Sequence, residues 1–322
     1  MISEVYDQST FLMYSAVYQY YILKKTIKET ADFLHVSNAT VSRLLKKAKQ
    51  QKFVRLEVDP QILHCMTLAE QLKKQYGLKE VLVAPVDETF EENAIEVKKH
   101  VALEGARYLQ RITSDDDVIG LSWGGTMYYL IQYLNPCQKS NSKVITLHGS
   151  IAQCDPKLSV ESLVHRAAMA FGGKSFSIYH SGLCKTAAEV QYLKQSESYQ
   201  KLNHLFSEIN ISISGVGALY PENRSILSSI QYLNPREHAE INRIPAYCDL
   251  MLRFLDRNGR ECKTSMQERT LSIELEQYKK IPNKIIVASH VDKQESVLAL
   301  LKGKLVDILI IDQRLGEKLI KR

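Results

Sequence analysis

The sequence predicts two folded parts: a small all-α helix-turn-helix domain with a short strand as a wing, and a larger α/β domain with a mostly parallel sheet. Three observations support this prediction. Apolar residues recur at helical spacing between residues 11 and 50, and residues 53–58 alternate apolar and charged side chains. Beyond residue 79, short apolar segments alternate with amphipathic ones, which is typical of a parallel sheet covered by helices on both faces.

The N-terminal segment predicts three helices and one strand. Helical periodicity runs over residues 11–23, 26–34 and 38–50. The alternation at 53–58 is that of a half-buried strand. Asp59 and Pro60 then mark a boundary. An amphipathic pattern at 62–76 predicts a connecting helix.

The rest of the chain predicts alternating strands and helices. Strand candidates are residues 80–84, 117–121, 143–148, 174–179, 209–214, 249–255, 284–288 and 306–311. Helix candidates are residues 93–111, 125–134, 158–171, 185–206, 292–302 and 313–321. These elements divide the chain into a helix-turn-helix domain at 1–58, a linking and oligomerisation helix at 59–78, and an α/β domain at 79–322.

Charge is concentrated near the N-terminus. The chain has a formal net charge of +6, and residues 1–58 carry nine Lys or Arg against five Asp or Glu, a net of +4. No acid occurs from residue 33 to 56. Such a basic field suits a polyanionic partner, although charge alone fits a solvated basic helix equally well.

Cysteine usage and hydropathy limit the class of protein. The six cysteines are scattered and form no CxxC pair, so the sequence predicts neither a disulfide framework nor a metal site, and no cofactor. The N-terminal segment lacks the features of a signal peptide, and no apolar run approaches 18 residues. We therefore expect a cytoplasmic protein with reduced thiols and no membrane partner.

Residues 28–49 have the specific spacing of a helix-turn-helix. Ala31 is small enough for two helices to approach closely, and His35 stands where the turn needs a left-handed backbone. Ser37 can cap the following helix. Val41 and Leu45 can pack back on the preceding one. The alternative is a polar helical hairpin that binds no nucleic acid.

The outward face of the third helix carries residue types that read bases and hold phosphates. We predict that Asn38, Thr40 and Arg43 contact base edges, since the N-terminal part of a recognition helix does so. The residues predicted to contact phosphates are Ser37, Ser42, Lys46 and Lys47. Together these residues predict double-stranded DNA as a partner.

A glycine-rich loop follows the strand candidate at 117–121. Its sequence, GLSWGGT at 120–126, opens a helix whose first N–H groups and partial positive charge suit a phosphate, and Ser122 and Thr126 add hydroxyl donors. The GK[ST] ending of a nucleotide-hydrolysing loop is missing. A purely steric use of glycine at this turn is the alternative.

The two halves together resemble the SorC/DeoR-type bacterial transcriptional regulators, which carry a SorC-like sugar-binding effector domain. The resemblance covers roughly residues 10–320 and is strongest in VSRLLKKA at 41–48 and GLSWGGT at 120–126. Looser matches are VITLHG at 144–149, SGVG at 214–217, FLDRNG at 254–259 and LVDILIID at 305–312. The resemblance implies a fold like that of sugar-phosphate isomerases and CoA-transferases. It also implies a phosphorylated sugar as effector and a homotetramer whose hold on operator DNA changes with that effector.

The resemblance also assigns residues. It implies that the effector is held by Ser122, Gly124, Gly125, Thr126, His148, Asp249 and Lys293, the first four on the phosphate and the last two on hydroxyls and the anionic end. Some relatives hold a sugar aldehyde covalently through a lysine where this chain has His148, which cannot form a Schiff base. Two further departures from the family pattern are Cys248 before Asp249 and the segment 289–291 before Lys293.

Three functional hypotheses follow. The first is a DNA-binding regulator of a carbohydrate-related operon, modulated by a phosphorylated sugar. The second is a sugar-phosphate isomerase-like or deaminase-like enzyme with an appended DNA-binding module, with Asp249, Asp256 and His148 as acid–base candidates. The third is a DNA-binding protein whose effector domain serves assembly only.

Overall fold

The computed structural model describes residues 4–55, 57–86, 93–151, 155–228 and 232–320, with the side chains from residue 10 onward. The chain divides into two compact units, Met1–Pro60 and Gln61–Arg322. Among the helices of the described residues, none combines the length and apolarity needed to cross a bilayer.

The N-terminal unit is helical. Its elements are α1 Glu4–Val17, a π-helical continuation Tyr18–Ile22, α2 Ile27–Leu34 and α3 Asn38–Gln50. A buried cluster of Ala16, Ala31, Val41 and Leu45 joins the three α-helices. Two of these four side chains are methyl groups, which allows the helix backbones to approach closely.

The strand predicted at 53–58 is wrong for the residues that the structure describes. Residues 51–54 form a turn and a bend, and Phe53 is 46% exposed. The Phe53 N–H donates to the carbonyl of Ala48 at 2.9 Å, as part of the end of α3, and the Phe53 ring meets Tyr14 edge-on. A strand needs a neighbouring strand for its hydrogen bonds, and the described part of this unit has none. The wing is therefore not formed there; Leu56 lies outside the described residues.

The C-terminal unit is built on a seven-stranded parallel sheet. In spatial order its strands are β1 Glu80–Ala84, β10 Ile308–Asp312, β9 Asn283–Ala288, β5 Ile211–Ser214, β2 Val118–Leu121, β3 Lys143–Thr146 and β4 Lys174–Phe176. In the register, Ile119 of β2 lies between Val144 of β3 and Ile211 of β5. Residues 53–58 aside, the predicted fold class of N-terminal helices and a mostly parallel α/β domain is therefore observed.

Helices cover both faces of the sheet. They are α4 Pro60–Tyr76, α5 Ala94–Ile112, α6 Gly125–Gln132, α7 Val160–Phe171, α8 Ala187–Gln195, α9 Glu197–Glu208, α11 Leu275–Lys279, α12 Gln294–Lys302 and α13 Gln313–Ile320. A further helix, α10 Pro235–Ile241, places its buried Ile241 in a separate apolar cluster. Successive side chains of a strand point to opposite faces. Accordingly, Ile285 and Val287 of β9 belong to the core under α5, α6 and α7, and Ile286 belongs to the core on the other face. Residue 321 of the last predicted helix lies outside the described residues.

The strand predicted at 249–255 is instead a hairpin outside the parallel sheet. β7 Cys248–Leu250 and β8 Arg253–Leu255 pair antiparallel, and β7 also pairs with β6 Gly217–Ala218. Met251 and Leu252 both have positive φ angles, 51° and 67°, as a two-residue turn of the primed type requires. Because glycine and asparagine are absent from this turn, the sequence gives no local signal for it.

The order of the strands reverses between β2 and β5. From β2 the chain proceeds to β3 and β4 on one side, and from β5 it proceeds to β9 and β10 on the other. The loops that leave β2 and β5 therefore diverge and open a crevice at the carboxyl ends of these strands. In open α/β sheets, ligands bind at such a reversal point.

Candidate functional site

The turn between α2 and α3 has the conformation that the sequence predicts. His35 has a left-handed backbone, with φ 55° and ψ 42°. This confirms the conformation predicted for the turn, at a position where glycine is more usual. Ser37 is the N-cap of α3, and its Oγ accepts the N–H of Thr40 at 3.1 Å. A second cap, which the sequence analysis missed, is the reciprocal capping box of Thr26 and Glu29 at the start of α2.

The residues predicted to contact DNA lie on the polar side of α3 and at its cap. Of the seven, Ser37, Asn38, Ser42, Arg43 and Lys46 are exposed, and Thr40 and Lys47 are half-buried. The apolar side of the helix, with Val41, Leu45 and Ala48, is buried. Which of the exposed residues contacts DNA remains a prediction.

A cavity of about 140 Å³ opens at the reversal point of the sheet. Three strands contribute the residues at their carboxyl ends: 122–126 after β2, 214–217 at and after β5, and 287–289 at the end of β9. The remaining walls come from residues 224–227, Asp249, Met251, Lys98 and Lys293. Six of the seven residues predicted for the effector site line this cavity; they are Ser122, Gly124, Gly125, Thr126, Asp249 and Lys293.

The glycine loop presents the open end of helix α6 to the cavity. Gly124 has φ 118°, a conformation that L-residues rarely adopt. Gly124 is also the N-cap residue of α6, and because glycine has no side chain, it cannot cap the helix. The first N–H groups of α6 are thus left for a ligand, with the positive end of the helix dipole behind them. Ser122 is less available, because its Oγ is hydrogen-bonded to the Oγ of Ser214 at 2.7 Å.

Two lysine side chains bring positive charge to the same cavity. A Cβ placed on Gly125 would lie 3.8 Å from the Nζ of Lys98, so this ammonium group stands beside the open helix end. Lys293 lines the same cavity and is half-buried. Within the described residues, neither ammonium group has a hydrogen-bond or ion-pair partner. Burial lowers the pKa of Lys293, and the charge of Lys98 lowers it further, against the opposing effect of Asp292 and Asp249.

Asp249 supplies the acidic side of the cavity. Its buried carboxylate accepts a hydrogen bond from the Oγ of Ser225. The carboxylate lies directly on Gly217, where a Cβ would come within 1.9 Å of Oδ1, so only glycine fits there. Burial raises the pKa of Asp249, and the bond from Ser225 and the charge of Lys293 lower it. Asp249 is thus placed to accept hydrogen bonds from ligand hydroxyls.

His148 is not at the cavity surface, so its assignment as an effector contact is corrected. The side chain is fully buried. Its Nδ1 lies 2.8 Å from the carbonyl of Gly149, and its Nε2 accepts the N–H of Trp123 at 3.2 Å. Both ring nitrogens are thereby used. The ring therefore holds the glycine loop from behind, because Trp123 is the second residue of the segment 122–126.

The burial of His148 leads to a test by pH. Burial lowers the pKa of His148 to about 4, against the hydrogen bond to Gly149. Since the ordinary value is 6.5, the unfolded chain binds more protons than the folded one between these two values, and stability falls as the pH drops through this range. From pH 7 to pH 5 we expect this group to cost about 2 kcal/mol of unfolding free energy.

The measurement is urea denaturation at both pH values for the wild type and for His148→Gln. The wild type should lose about 2 kcal/mol more than the variant over this interval. His180→Gln, a change at an exposed histidine, is the matched control and should keep the wild-type pH dependence. Equal losses in the wild type and His148→Gln would contradict the expectation.

Several cavity residues were not predicted from the sequence. Lys98 comes from α5, and Arg224 and Ser225 come from the segment before the hairpin. Arg224 is held by Glu222 at 2.9 Å and by Asp292 at 3.5 Å, which partly neutralises it. None of these positions stands in a recognisable motif. The sheet order alone brings them to the glycine loop.

Comparisons with known proteins agree with this architecture. Residues 60–321 match the family model described as "Putative sugar-binding domain". The deoxyribonucleoside regulator of Bacillus subtilis is 27% identical over 303 residues, 94% of each chain. The sorbitol operon regulator of Klebsiella pneumoniae is 26% identical over 305 residues, 94% of this chain and 95% of that protein. The crystal structure of the full-length sorbitol operon regulator SorC from Klebsiella pneumoniae superposes with a TM-score of 0.75 at 24% identity, over 97% of this chain and 98% of that one, which confirms the predicted fold class.

Proposed function

The chain belongs to the SorC/DeoR-type family of transcriptional regulators with a sugar-binding domain, and we propose that it regulates a carbohydrate-related operon by binding operator DNA under the control of a phosphorylated sugar or similar phosphorylated metabolite. The relatives named above are regulators of sorbitol and deoxyribonucleoside systems. The phosphorylated effector and its site are the specific parts of this proposal.

One observation carries the proposed effector class. The cavity joins a helix N-terminus without a side-chain cap to the ammonium groups of Lys98 and Lys293, neither of which has a hydrogen-bond or ion-pair partner among the residues that the structure describes. Backbone N–H groups at a helix start together with lysines favour a phosphate. Asp249 and Ser225 on another wall add acceptors and a donor for sugar hydroxyls. A sugar that carries one phosphate has both the phosphate and the hydroxyls that these two parts of the cavity suit.

The DNA-binding part of the proposal rests on α3. Its polar side is basic and exposed, and no acid lies between residues 33 and 56. For the effector to change DNA affinity, it must bind one arrangement of the subunits better than another. We assign this coupling to the linking helix and to a homotetramer. The exposed apolar residues Ile62, Leu63 and Met66 of α4 support an oligomer contact there.

The enzyme hypothesis receives less support. Of its three acid–base candidates, only Asp249 lines the cavity. His148 lies behind the loop, and Asp256 accepts the backbone N–H groups of Asn258 and Arg260 in a turn. General acid–base chemistry on a sugar phosphate needs groups within reach of the same substrate.

A melting-curve screen tests the proposal. The full-length protein is heated with pentose, hexose and polyol phosphates and with the same compounds lacking phosphate. A phosphorylated compound at a hundred times its dissociation constant should stabilise the folded state by about 2.7 kcal/mol, and its unphosphorylated partner should not. The same compound should then change binding to a duplex selected from a random DNA library. Conversion of the compound, followed by NMR, would favour the enzyme, and no stabilisation by any compound would favour an assembly role.

A further inference from the structure

A short series of hydrogen bonds links three polar residues at the start of α3. The Oγ of Ser37 accepts the N–H of Thr40 at 3.1 Å and lies 2.9 Å from the Oγ1 of Thr40. The Oγ1 of Thr40 in turn accepts a hydrogen bond from Nη2 of Arg43 at 3.3 Å. Because residues three apart lie on the same side of a helix, Thr40 is directly beneath the Arg43 side chain.

This arrangement uses most of the hydrogen-bonding capacity of the two hydroxyls. A hydroxyl has one donor and two acceptor positions. Either hydroxyl can donate in the contact between Ser37 and Thr40, and in both cases the Thr40 oxygen still accepts from Arg43. Ser37 is also occupied as the helix cap. In the free protein, the hydroxyls of Ser37 and Thr40 are therefore already hydrogen-bonded within α3 and its cap.

Arg43, in contrast, keeps most of its capacity. A guanidinium has five N–H donors, and the bond to Thr40 uses one of them. In the part of the chain that the structure describes, no carboxylate forms an ion pair with Arg43. Its side chain is exposed, on the N-terminal half of the helix, where recognition helices meet base edges. The fork of donors matches the N7 and O6 acceptors of guanine in the major groove.

We propose that Arg43 reads a guanine in each operator half-site and that Thr40 is a positioning residue, holding the Arg43 fork through its Oγ1 while Ser37 holds Thr40. This inference rests on the proposed DNA binding and assigns the base that is read. Thr40 is thereby removed from direct base readout, the role that the sequence predicts for it together with Asn38 and Arg43. Side-chain entropy lost by Arg43 on binding is reduced because its position is already restricted.

The test is in vitro selection with the full-length protein and a randomised duplex library, for the wild type and four variants. The variants are Arg43→Ala, Thr40→Val, Thr40→Ser and Lys46→Ala. Thr40→Val keeps the shape of the side chain and the backbone N–H that bonds to Ser37, but it removes the hydroxyl that accepts from Arg43. Thr40→Ser keeps this hydroxyl. Circular dichroism is used to check that each variant is folded.

We expect the wild type to select a guanine at a fixed place in each half-site. Arg43→Ala should lower the preference for guanine over the other bases there by about tenfold or more. Thr40→Val should lower the same preference by a smaller factor, and Thr40→Ser should retain it. Lys46→Ala should weaken binding to all duplexes equally, as loss of a phosphate contact does.

Two results would overturn the proposal. One is an unchanged guanine preference in Arg43→Ala, and the other is a Thr40→Val variant as selective as the wild type. Both leave DNA binding itself intact. A wild-type protein that enriches no duplex would instead contradict the proposed function, and this inference with it.

Discussion

Replacing Lys293 by methionine is expected to remove most of the affinity for a phosphorylated effector and, at the same time, to stabilise the free protein. The ammonium group is half-buried in the cavity and has no partner within the described residues, and burial lowers its pKa. A hydrogen bond to a charged group contributes about 1.5–3 kcal/mol, so the affinity should fall roughly 10- to 150-fold. Without ligand, removal of a buried charge that Asp249 and Asp292 compensate only in part should raise stability by about 0.5–2 kcal/mol.

Calorimetric titration with the phosphorylated sugar found in the screen measures the first effect, and urea denaturation without ligand measures the second. Lys302→Met is the matched control, since Lys302 is exposed at the C-terminal end of α12, the helix for which Lys293 is the N-cap residue. It should change neither quantity. A Lys293→Met protein that binds the effector normally and is less stable would show that the lysine supports the fold and not the ligand.

Replacing Arg253 by methionine should produce the largest loss of stability. Its guanidinium is 3% exposed and donates to both carboxylate oxygens of Glu261, at 2.8 and 3.1 Å, and to Glu274 at 2.9 Å. Its Nε also donates to the carbonyl of Ile273 at 3.0 Å. Without the arginine, Glu261 loses this partner and the carbonyl of Ile273 loses one donor, while Glu274 keeps its ion pair with Lys194 at 2.6 Å. Removing one member of a buried ion pair costs about 3–5 kcal/mol.

Urea denaturation followed by far-ultraviolet circular dichroism measures this loss. Arg260→Met, in the turn after β8, is the control, because Arg260 is exposed and its hydrogen bonds within the described residues are those of its backbone. Its stability should lie within about 0.5 kcal/mol of the wild type. A loss below 1 kcal/mol in Arg253→Met would mean that the freed acids find other partners or solvent.

Features that depend on neighbours in the chain were determined by the sequence alone. The left-handed His35, the Ser37 cap and the buried face of α3 all lie within about fourteen residues, and their signals are the residues themselves. The glycine loop at 120–126 was likewise found because glycine freedom and a helix start are local properties. The alternation of strand-like and helical segments predicted the parallel sheet, because the periodicity of each segment is also a local property.

Tertiary structure decided everything that depends on which segments become neighbours. The pattern at 53–58 is that of a strand, but the described part of the N-terminal unit contains no strand to receive its hydrogen bonds. His148 was expected at the ligand because the family resemblance implies it, and instead it lies behind the loop. Lys98 entered the cavity because helix α5 packs beside α6. The sequence thus determined the helix-turn-helix and the loop that forms the cavity, since short-range hydrogen bonds and periodicity encode both. The reversal of strand order between β2 and β5, which brings distant side chains together, determined which charges surround that loop.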